Sequence, residues 1–350
     1  MTEQRFDAGV LRSFAIAALL RAGLPEAPAR SVAEGLLEAD LLGHNTHGLA
    51  LLADYIEEID EGRMATLGGP EVLSDFGAVA TWDARRLPGI WTTELAITEA
   101  SGRARKLGLG AIALRRSHHI ACLASFLEAP ARSGLLVLVF CSDPGDSVVA
   151  PHGGVTPVLM PDPLAAGIPA RPDPILIDIS TSITTMAMSG RARREGAKLP
   201  HPWLMDAQGR ATDDPSALGQ GTTILPLGGK DHGHKGFALG LLVETLTQGL
   251  GGFGRRDKPT DWGASVLVLA FDPAAFGGLS AFQDQIDFIA DACRRSAPVP
   301  GGKAVRMPGE SGLAKKRAAL QSGVPLRPDL AAKLAELAAT LGIPAPTTRG

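Results

Sequence analysis

Six of the eight histidines stand in close pairs: His44 with His47, His118 with His119, and His232 with His234, leaving His152 and His201 alone. Imidazole is the commonest metal ligand and also the side chain best matched to proton transfer at neutral pH. The pairs therefore point to one of two chemistries. Against a metal centre, no H-E-x-x-H pattern and no carboxylate–histidine set at ligand spacing accompanies them. Asp40 and His44 could share a helix face, but two ligands do not make a catalytic site. In favour of proton transfer, the pairs are flanked by glycine and serine rather than spread over a surface. On the residues alone both chemistries stay open, as does a structural role for any single histidine.

Two glycine-rich stretches could hold a nucleotide. Gly108-Leu-Gly-Ala-Ile-Ala113 matches G-x-G-x-x-A, yet it follows a helical pattern and leads into a strand pattern. That is the reverse of the dinucleotide-binding order, so no Rossmann crevice is expected there. LGGKDHGHKG (Leu227–Gly236) looks like a phosphate loop, but Asp231 follows Lys230 where a Walker loop needs Ser or Thr. What survives is a glycine-rich turn with two lysines opening an apolar helix. Free backbone N–H groups there attract phosphate or carboxylate; the plain alternative is a loop with solvated lysines.

The elements that must position these residues follow from hydrophobic periodicity. Helical spacing runs over Phe6–Ala22 and Ala27–Leu42, separated by the stop-and-restart signal GLPEAP, and again over Glu94–Leu107 before Gly108. Ala111–Leu114, Leu135–Phe140, Ile175–Ile179 and Ser265–Phe271 are short apolar runs with strand character. Helical segments between them predict an α/β fold with a partly parallel sheet. Gly236–Leu250 is apolar on most sides and predicts a buried helix; Pro328–Leu341 predicts a closing amphipathic one. Ala192–Gly221 is polar with scattered Gly and Pro, which predicts a long excursion or flap.

Composition narrows the class. The chain has 350 residues, 45% hydrophobic and 20% charged, with a formal net charge of −3, which is globular rather than disordered. Charges of both signs are interspersed and no basic tract stands out, so nucleic acid is not an expected partner. The opening residues lack the order of a signal peptide and no apolar run reaches membrane-span length. Cys122, Cys141 and Cys293 are isolated, without zinc spacing, and suit a reducing compartment. The expectation is a soluble cytoplasmic protein without a membrane partner.

Several segments together resemble one family. Ala39-Asp-Leu-Leu-Gly-His-Asn-Thr-His-Gly48 is similar to its A-D-L-x-G-x-D-S-H-G, and Ser117-His-His-Ile-Ala121 to its S-x-H-F-G. Pro151-His-Gly-Gly154 follows, then Asp162-Pro-Leu164 in place of T-N-P. Asp178-Ile-Ser-Thr-Ser182 is similar to D-M-A-T-S. Leu225-Pro-Leu-Gly-Gly229 with His234-Lys-Gly-Phe237 is similar to the segment ending G-Y-K-G-Y, and Arg306-Met-Pro-Gly-Glu310 to R-x-P-G-E. These motifs keep their order from residue 39 to 310. The family is the malate/L-lactate dehydrogenases of the non-Rossmann type, which include ureidoglycolate dehydrogenase, sulfolactate dehydrogenase and Δ1-piperideine-2-carboxylate reductases.

The resemblance implies an α/β, non-Rossmann NAD(P)-binding fold with a mixed sheet, an N-terminal helical segment and C-terminal helices. The expected division is residues 1–118, completed by 297–350, on the substrate side and 119–296 on the cofactor side. It implies a homodimer that reduces a C=O or C=N group of a small 2-oxo acid or cyclic imino acid, without a metal. The proton donor is implied to be His47, with Thr46 as its hydroxyl partner, or else His119. Cofactor contacts are implied at His119, Ile120, Ala121, Cys122, Leu123, Ser142, Asp178, Ile179, Ser180, Lys235, Arg306, Met307, Pro308, Gly309 and Glu310. On this basis His44 is incidental.

The chain departs from the family around the substrate. Leu51 replaces an arginine that clamps the substrate carboxylate, a pairing hard to replace. Pro161 replaces a threonine that touches substrate, and Met188 an aspartate that completes a proton relay. Tyr55, the only tyrosine, stands where a family tyrosine lies near substrate. These changes predict a bulkier or less acidic substrate, with Arg116 as a candidate substitute charge. Arg191, Arg193 and Arg194 either suit the 2′-phosphate of NADPH or form a plain solvated basic turn; the expected cofactor is NADPH or NADH, with NADPH slightly preferred. The alternative expectation is a member that has lost the reaction and serves as a nucleotide-binding or assembly protein.

Overall fold

The structure is a computed structural model and describes residues 4–219 and 221–349. It begins with β1 (Gln4–Phe6), α1 (Ala8–Arg21), α2 (Glu26–Leu42) and α3 (Leu52–Asp60). Next come β2 (Glu71–Asp75), β3 (Val79–Asp83), α4 (Gly89–Leu107), β4 (Leu109–Ser117), α5 (Glu128–Arg132) and β5 (Leu136–Ser142). β6 (Leu164–Ile168), β7 (Ile175–Ile179), α6 (Met186–Arg194), β8 (Leu204–Met205), β9 (Ala211–Thr212) and β10 (Thr223–Ile224) follow. α7 (Gly229–Glu244), β11 (Ala264–Phe271), α8 (Leu279–Arg295), α9 (Glu310–Ser322), β12 (Val324–Leu326) and α10 (Pro328–Leu341) complete it.

A seven-stranded sheet in the order β2-β3-β4-β11-β5-β6-β7 carries the fold. Parallel pairing is confined to β3–β4, the two strands joined by α4, and the other neighbours run antiparallel. The sheet is thus mixed, as expected, and draws strands from both sides of residue 118. β11 suits the centre because it is apolar at every position but Ser265, and Val266, Val268 and Ala270 are fully buried. Full burial of such side chains is worth roughly 1.5–3 kcal/mol for each Val or Leu. Helices α1, α2, α4 and α9 pack into the same hydrophobic cluster. One edge strand, β2, carries a register shift between Val72 and Ser74. At the other edge, Leu176 of β7 donates its N–H to the Pro308 carbonyl at 3.2 Å. Gly108 ends α4 and β4 follows at once, so the G-x-G-x-x-A run does lie in helix-to-strand order.

Two expectations need correction. α7 starts at Gly229 and ends in a π turn over Thr245–Gly249; it is not buried. Its inward face is Gly229, Gly233, Gly236, Gly240 and Val243, while Leu241 and Leu242 are about half exposed, at 46% and 49%. The cause is main-chain contact: a Cβ on Gly236 would lie 2.3 Å from the Leu227 nitrogen, so the helix docks by its glycine face and its leucines point outward. Residues 192–221, expected as a long excursion or flap, hold β8 and β9, and β8 pairs with both β9 and β10 in a three-stranded sheet. That sheet has its own small core of Val149, Leu159, Leu199, Leu204, Leu218 and Ile224.

Candidate active site

α2 ends in a tight turn that aims the His44–Gly48 segment. Gly43 takes φ 89°, and the His44 N–H donates to the Ala39 carbonyl at 2.8 Å, a glycine-closed helix end. The far end is pinned by Asp40, whose Oδ2 accepts the Leu49 N–H at 2.8 Å. Asp40 is 5% exposed, and burial pushes its carboxyl up to about 7 against the opposing Leu49 hydrogen bond. A Cβ on Gly48 would lie 2.4 Å from that carboxyl group, so only glycine passes there. Between these anchors His47 is half-buried, with Thr46 Oγ1 2.9 Å from its Nδ1. Burial lowers the His47 pKa, the Asp178 carboxylate raises it and His44 lowers it again.

His119 leaves the C-terminal end of β4 and faces His47, ring centroids 6.1 Å apart. Tyr55 Oη lies 2.9 Å from His119 Nδ1. Trp262, just before β11, stacks on the His119 ring at 4.4 Å and 26°. Burial holds the His119 pKa well below the ordinary value, and His47 and His118 push the same way. Behind it His118 is fully buried, its Nε2 3.1 Å from Glu58. Burial depresses His118 to about 4, although the Glu58 carboxylate opposes this. Of the two imidazoles that face each other, only His47 has a carboxylate raising its pKa.

The expected cofactor segments meet around the end of β7. Asp178 accepts the Ala124 N–H at 2.9 Å and lies 3.6 Å from Cys122 Sγ. Pro308 binds Leu176, and Glu310 accepts the Met307 N–H at 3.1 Å, which folds Arg306–Glu310 against the same strand. Leu227 donates its N–H to the Thr181 carbonyl at 2.8 Å and brings the start of α7, with exposed Lys235, beside Ser180. Ile179 is 45% exposed, and Lys235 and Arg306 are exposed. Exposed Ile179, Lys235 and Arg306 offer one apolar side chain and two cations, a set that suits a ring-bearing, phosphate-bearing dinucleotide.

Other expected residues are placed differently. Ile120, Ala121, Cys122 and Leu123 are 1–5% exposed: they support the wall behind His119 and offer little side-chain surface. Ser142 is 1% exposed, its hydroxyl 2.7 Å from Thr247 Oγ1 and accepting from Gln248 at 3.1 Å. It ties β5 to the π turn and has no open surface for a cofactor. Tyr55 is 1% exposed, so it positions His119 rather than lining an open pocket. Pro161 uses its carbonyl to accept the Thr181 N–H and hydroxyl at 2.8 and 2.9 Å. Arg116 Nε is held by both Asp83 oxygens at 2.9 and 2.8 Å, and Arg115 Nε shares the same carboxylate at 3.0 Å, so Arg116 is fixed in place by Asp83. Leu51 packs against the main core, and Met188 lies exposed on α6. A cavity of about 780 Å³ lies elsewhere, lined in part by Glu38, Glu94, Glu128 and Lys316.

Sequence reading missed Trp262, the Glu58–His118 pair and the Asp178 charge on His47. Each joins residues far apart in the chain, and no local pattern marks them. Asp162 was also missed as an oddity. It is fully buried at φ 39° with both oxygens unpartnered, and burial, then Glu244, pushes it up to about 9.

The chain is 33% identical over 314 residues to (2R)-3-sulfolactate dehydrogenase (NADP(+)) of Chromohalobacter salexigens, covering 87% of this chain and 90% of that one. It is 29% identical over 330 residues to Δ1-pyrroline-2-carboxylate reductase of Ancylobacter novellus, covering 91% and 93%. The malate dehydrogenase of Entamoeba histolytica shares the fold, with a TM-score of 0.92, 24% identity and coverage of 99% and 100%. Residues 6–335 match the malate/L-lactate dehydrogenase family, so the chain belongs to that family of nicotinamide-dependent oxidoreductases.

Proposed function

We propose that the protein is an NAD(P)H-dependent reductase of a C=O or C=N group in which His47 gives the proton. The observation that carries this is the setting of His47: Thr46 Oγ1 on Nδ1 and the Asp178 charge acting on the ring. With Nδ1 engaged, Nε2 is the nitrogen left to face substrate. When bound, the nicotinamide supplies the hydride. His47 Nε2–H then gives its proton to the oxygen or nitrogen that gains negative charge, so that charge never builds up uncompensated. Tyr55 and Trp262 hold His119 as a neutral wall opposite. Lys235 and Arg306 would hold the dinucleotide phosphates, and Ile179 would support its ring.

The substrate proposed is bulkier or less acidic than a plain 2-oxo acid. Its support is Leu51, apolar where the clamping arginine is expected, together with Arg116, which is tied down by Asp83 rather than free to reach a substrate carboxylate. NADPH is the proposed cofactor, supported by exposed Arg193 and Arg194 at the end of α6. A cytoplasmic location is proposed from the free cysteines. A homodimer is proposed because Leu241, Leu242, Phe288 and Ile289 are exposed and a second copy would cover them; sedimentation tests it.

A second reading, a family fold without turnover, draws on Leu51 and Met188. Fluorescence titration with NADPH and NADH, followed by turnover on a panel of 2-oxo acids, imino acids and their esters, separates the two. Turnover that vanishes in His47→Ala while cofactor binding persists supports the reductase. Fastest turnover on pyruvate refutes the substrate class, and cofactor binding without any turnover refutes the enzyme.

A further inference from the structure

We propose that His44, Cys122 and Asp178 form a binding site for a thiophilic divalent cation of the zinc class at the rim of the cofactor cleft. An imidazole nitrogen, Cys122 Sγ and an Asp178 oxygen lie within 4.8 Å of one another. In a tetrahedral site with bonds of about 2.0–2.3 Å, ligand atoms are about 3.3–3.8 Å apart. The Cys122–Asp178 pair, at 3.6 Å, already has that spacing. The His44 ring is exposed at the turn after α2, and rotation of its side chain closes the remaining gap of about 1 Å.

The three ligands come from three separate segments whose backbones are fixed. The α2 end turn holds His44, the chain after β4 holds Cys122, and β7 holds Asp178, whose Oδ2 also accepts the Ala124 N–H. Three protein ligands leave a fourth position open for water. One sulfur, one nitrogen and one oxygen select zinc, cobalt or nickel over magnesium and calcium, which take oxygen ligands. As the metal–sulfur bond forms, the S–H bond breaks and the proton leaves to solvent. Thiolate and carboxylate then balance the dication, so a half-buried cleft holds no net charge. The site stands on this geometry alone. Its consequence, competition with the dinucleotide, rests on the function proposed above, because Cys122 and Asp178 belong to the segments assigned to the cofactor.

The test is titration of the cofactor-free protein with cobalt(II), carried out on a Cys293→Ser background because Cys293 is exposed. The expected result is a thiolate-to-cobalt charge-transfer band that saturates at one equivalent, resists magnesium and disappears on adding zinc. Cys122→Ser abolishes the band. His44→Asn, at an exposed position that leaves folding intact, weakens cobalt binding on the order of tenfold or more. No charge-transfer band, or a band that survives Cys122→Ser, overturns the site. NADPH added to the cobalt protein then displaces the band. NADPH that binds without displacing it overturns the competition, whereas failure of NADPH to bind at all counts against the proposed enzyme and not against the metal site.

Discussion

Gly48→Ala should damage both stability and rate through one contact. The new Cβ would lie 2.4 Å from Asp40 Cγ and Oδ2, where ordinary contacts begin at 3.4 Å, so the loop and α2 must part by about 1 Å. Asp40 is buried and cannot step aside. Overpacking of this kind costs about 1–3 kcal/mol. The same movement stretches the 2.8 Å Leu49–Asp40 hydrogen bond, and leaving a buried carboxyl unsatisfied adds about 1–3 kcal/mol. His47 precedes Gly48 directly, and a 1 Å misplacement of a reacting group costs about 100-fold in rate. Equilibrium urea unfolding and kcat/KM should be measured for Gly48→Ala, Asp40→Ala and the double variant. Removing the Asp40 carboxyl removes the obstacle, so Gly48→Ala should cost far less in that background. Additivity of the two single effects to within about 0.5 kcal/mol would refute the contact as the cause.

His47→Ala should lower turnover by about 10²–10⁴-fold and leave NADPH titration unchanged; an equal loss in His119→Ala alone would reassign the acid. Reductive kcat/KM should fall as pH rises through a His47 pKa below 6.5. Asp178→Asn should move that inflection lower and His44→Asn higher, and a profile fixed in both variants would remove His47 from the titration. Asp40, an acid raised to about 7 by burial, keeps its proton in the folded chain at pH values where the unfolded chain has lost it. Its contribution is therefore full below pH 4 and is lost as pH rises through about 7. Relative to Asp40→Asn, the wild type should lose on the order of a few kcal/mol of stability over that range, read by unfolding at each pH.

The long periodic elements were legible because their patterns are local. α2, α4 and α10 and the strands β4, β5, β7 and β11 lie where apolar spacing put them. α7 is legible as a helix from its apolar content, but its orientation is set by glycine spacing, which hydrophobicity does not register. Glycines at 229, 233, 236 and 240 mark a face for main-chain contact, which sends Leu241 and Leu242 outward. β8, β9 and β10 have two residues each, too short for any periodicity to register. In the site, the histidine pairs and their glycine flanks were visible in the sequence. Their partners were not: Trp262 on His119, Asp83 on Arg116 and Thr247 on Ser142 are contacts made only by the tertiary fold. Burial was equally hidden, so Ser142 and Tyr55 looked like contact residues and proved to be supports.

The docking of Pro308 on Leu176 gives Arg306–Glu310 a second duty. β7 is the last strand of its sheet, and an uncovered last strand presents open N–H and C=O groups on which a neighbouring molecule can extend the ladder. β2 discourages this with its bulge and flanking acids, but β7 depends on a segment that also carries the proposed cofactor contacts. Substitutions from Arg306 to Glu310 will therefore register in the yield of unaggregated protein as well as in affinity. On the proposed cofactor contacts, solubility and cofactor capture are inherited together.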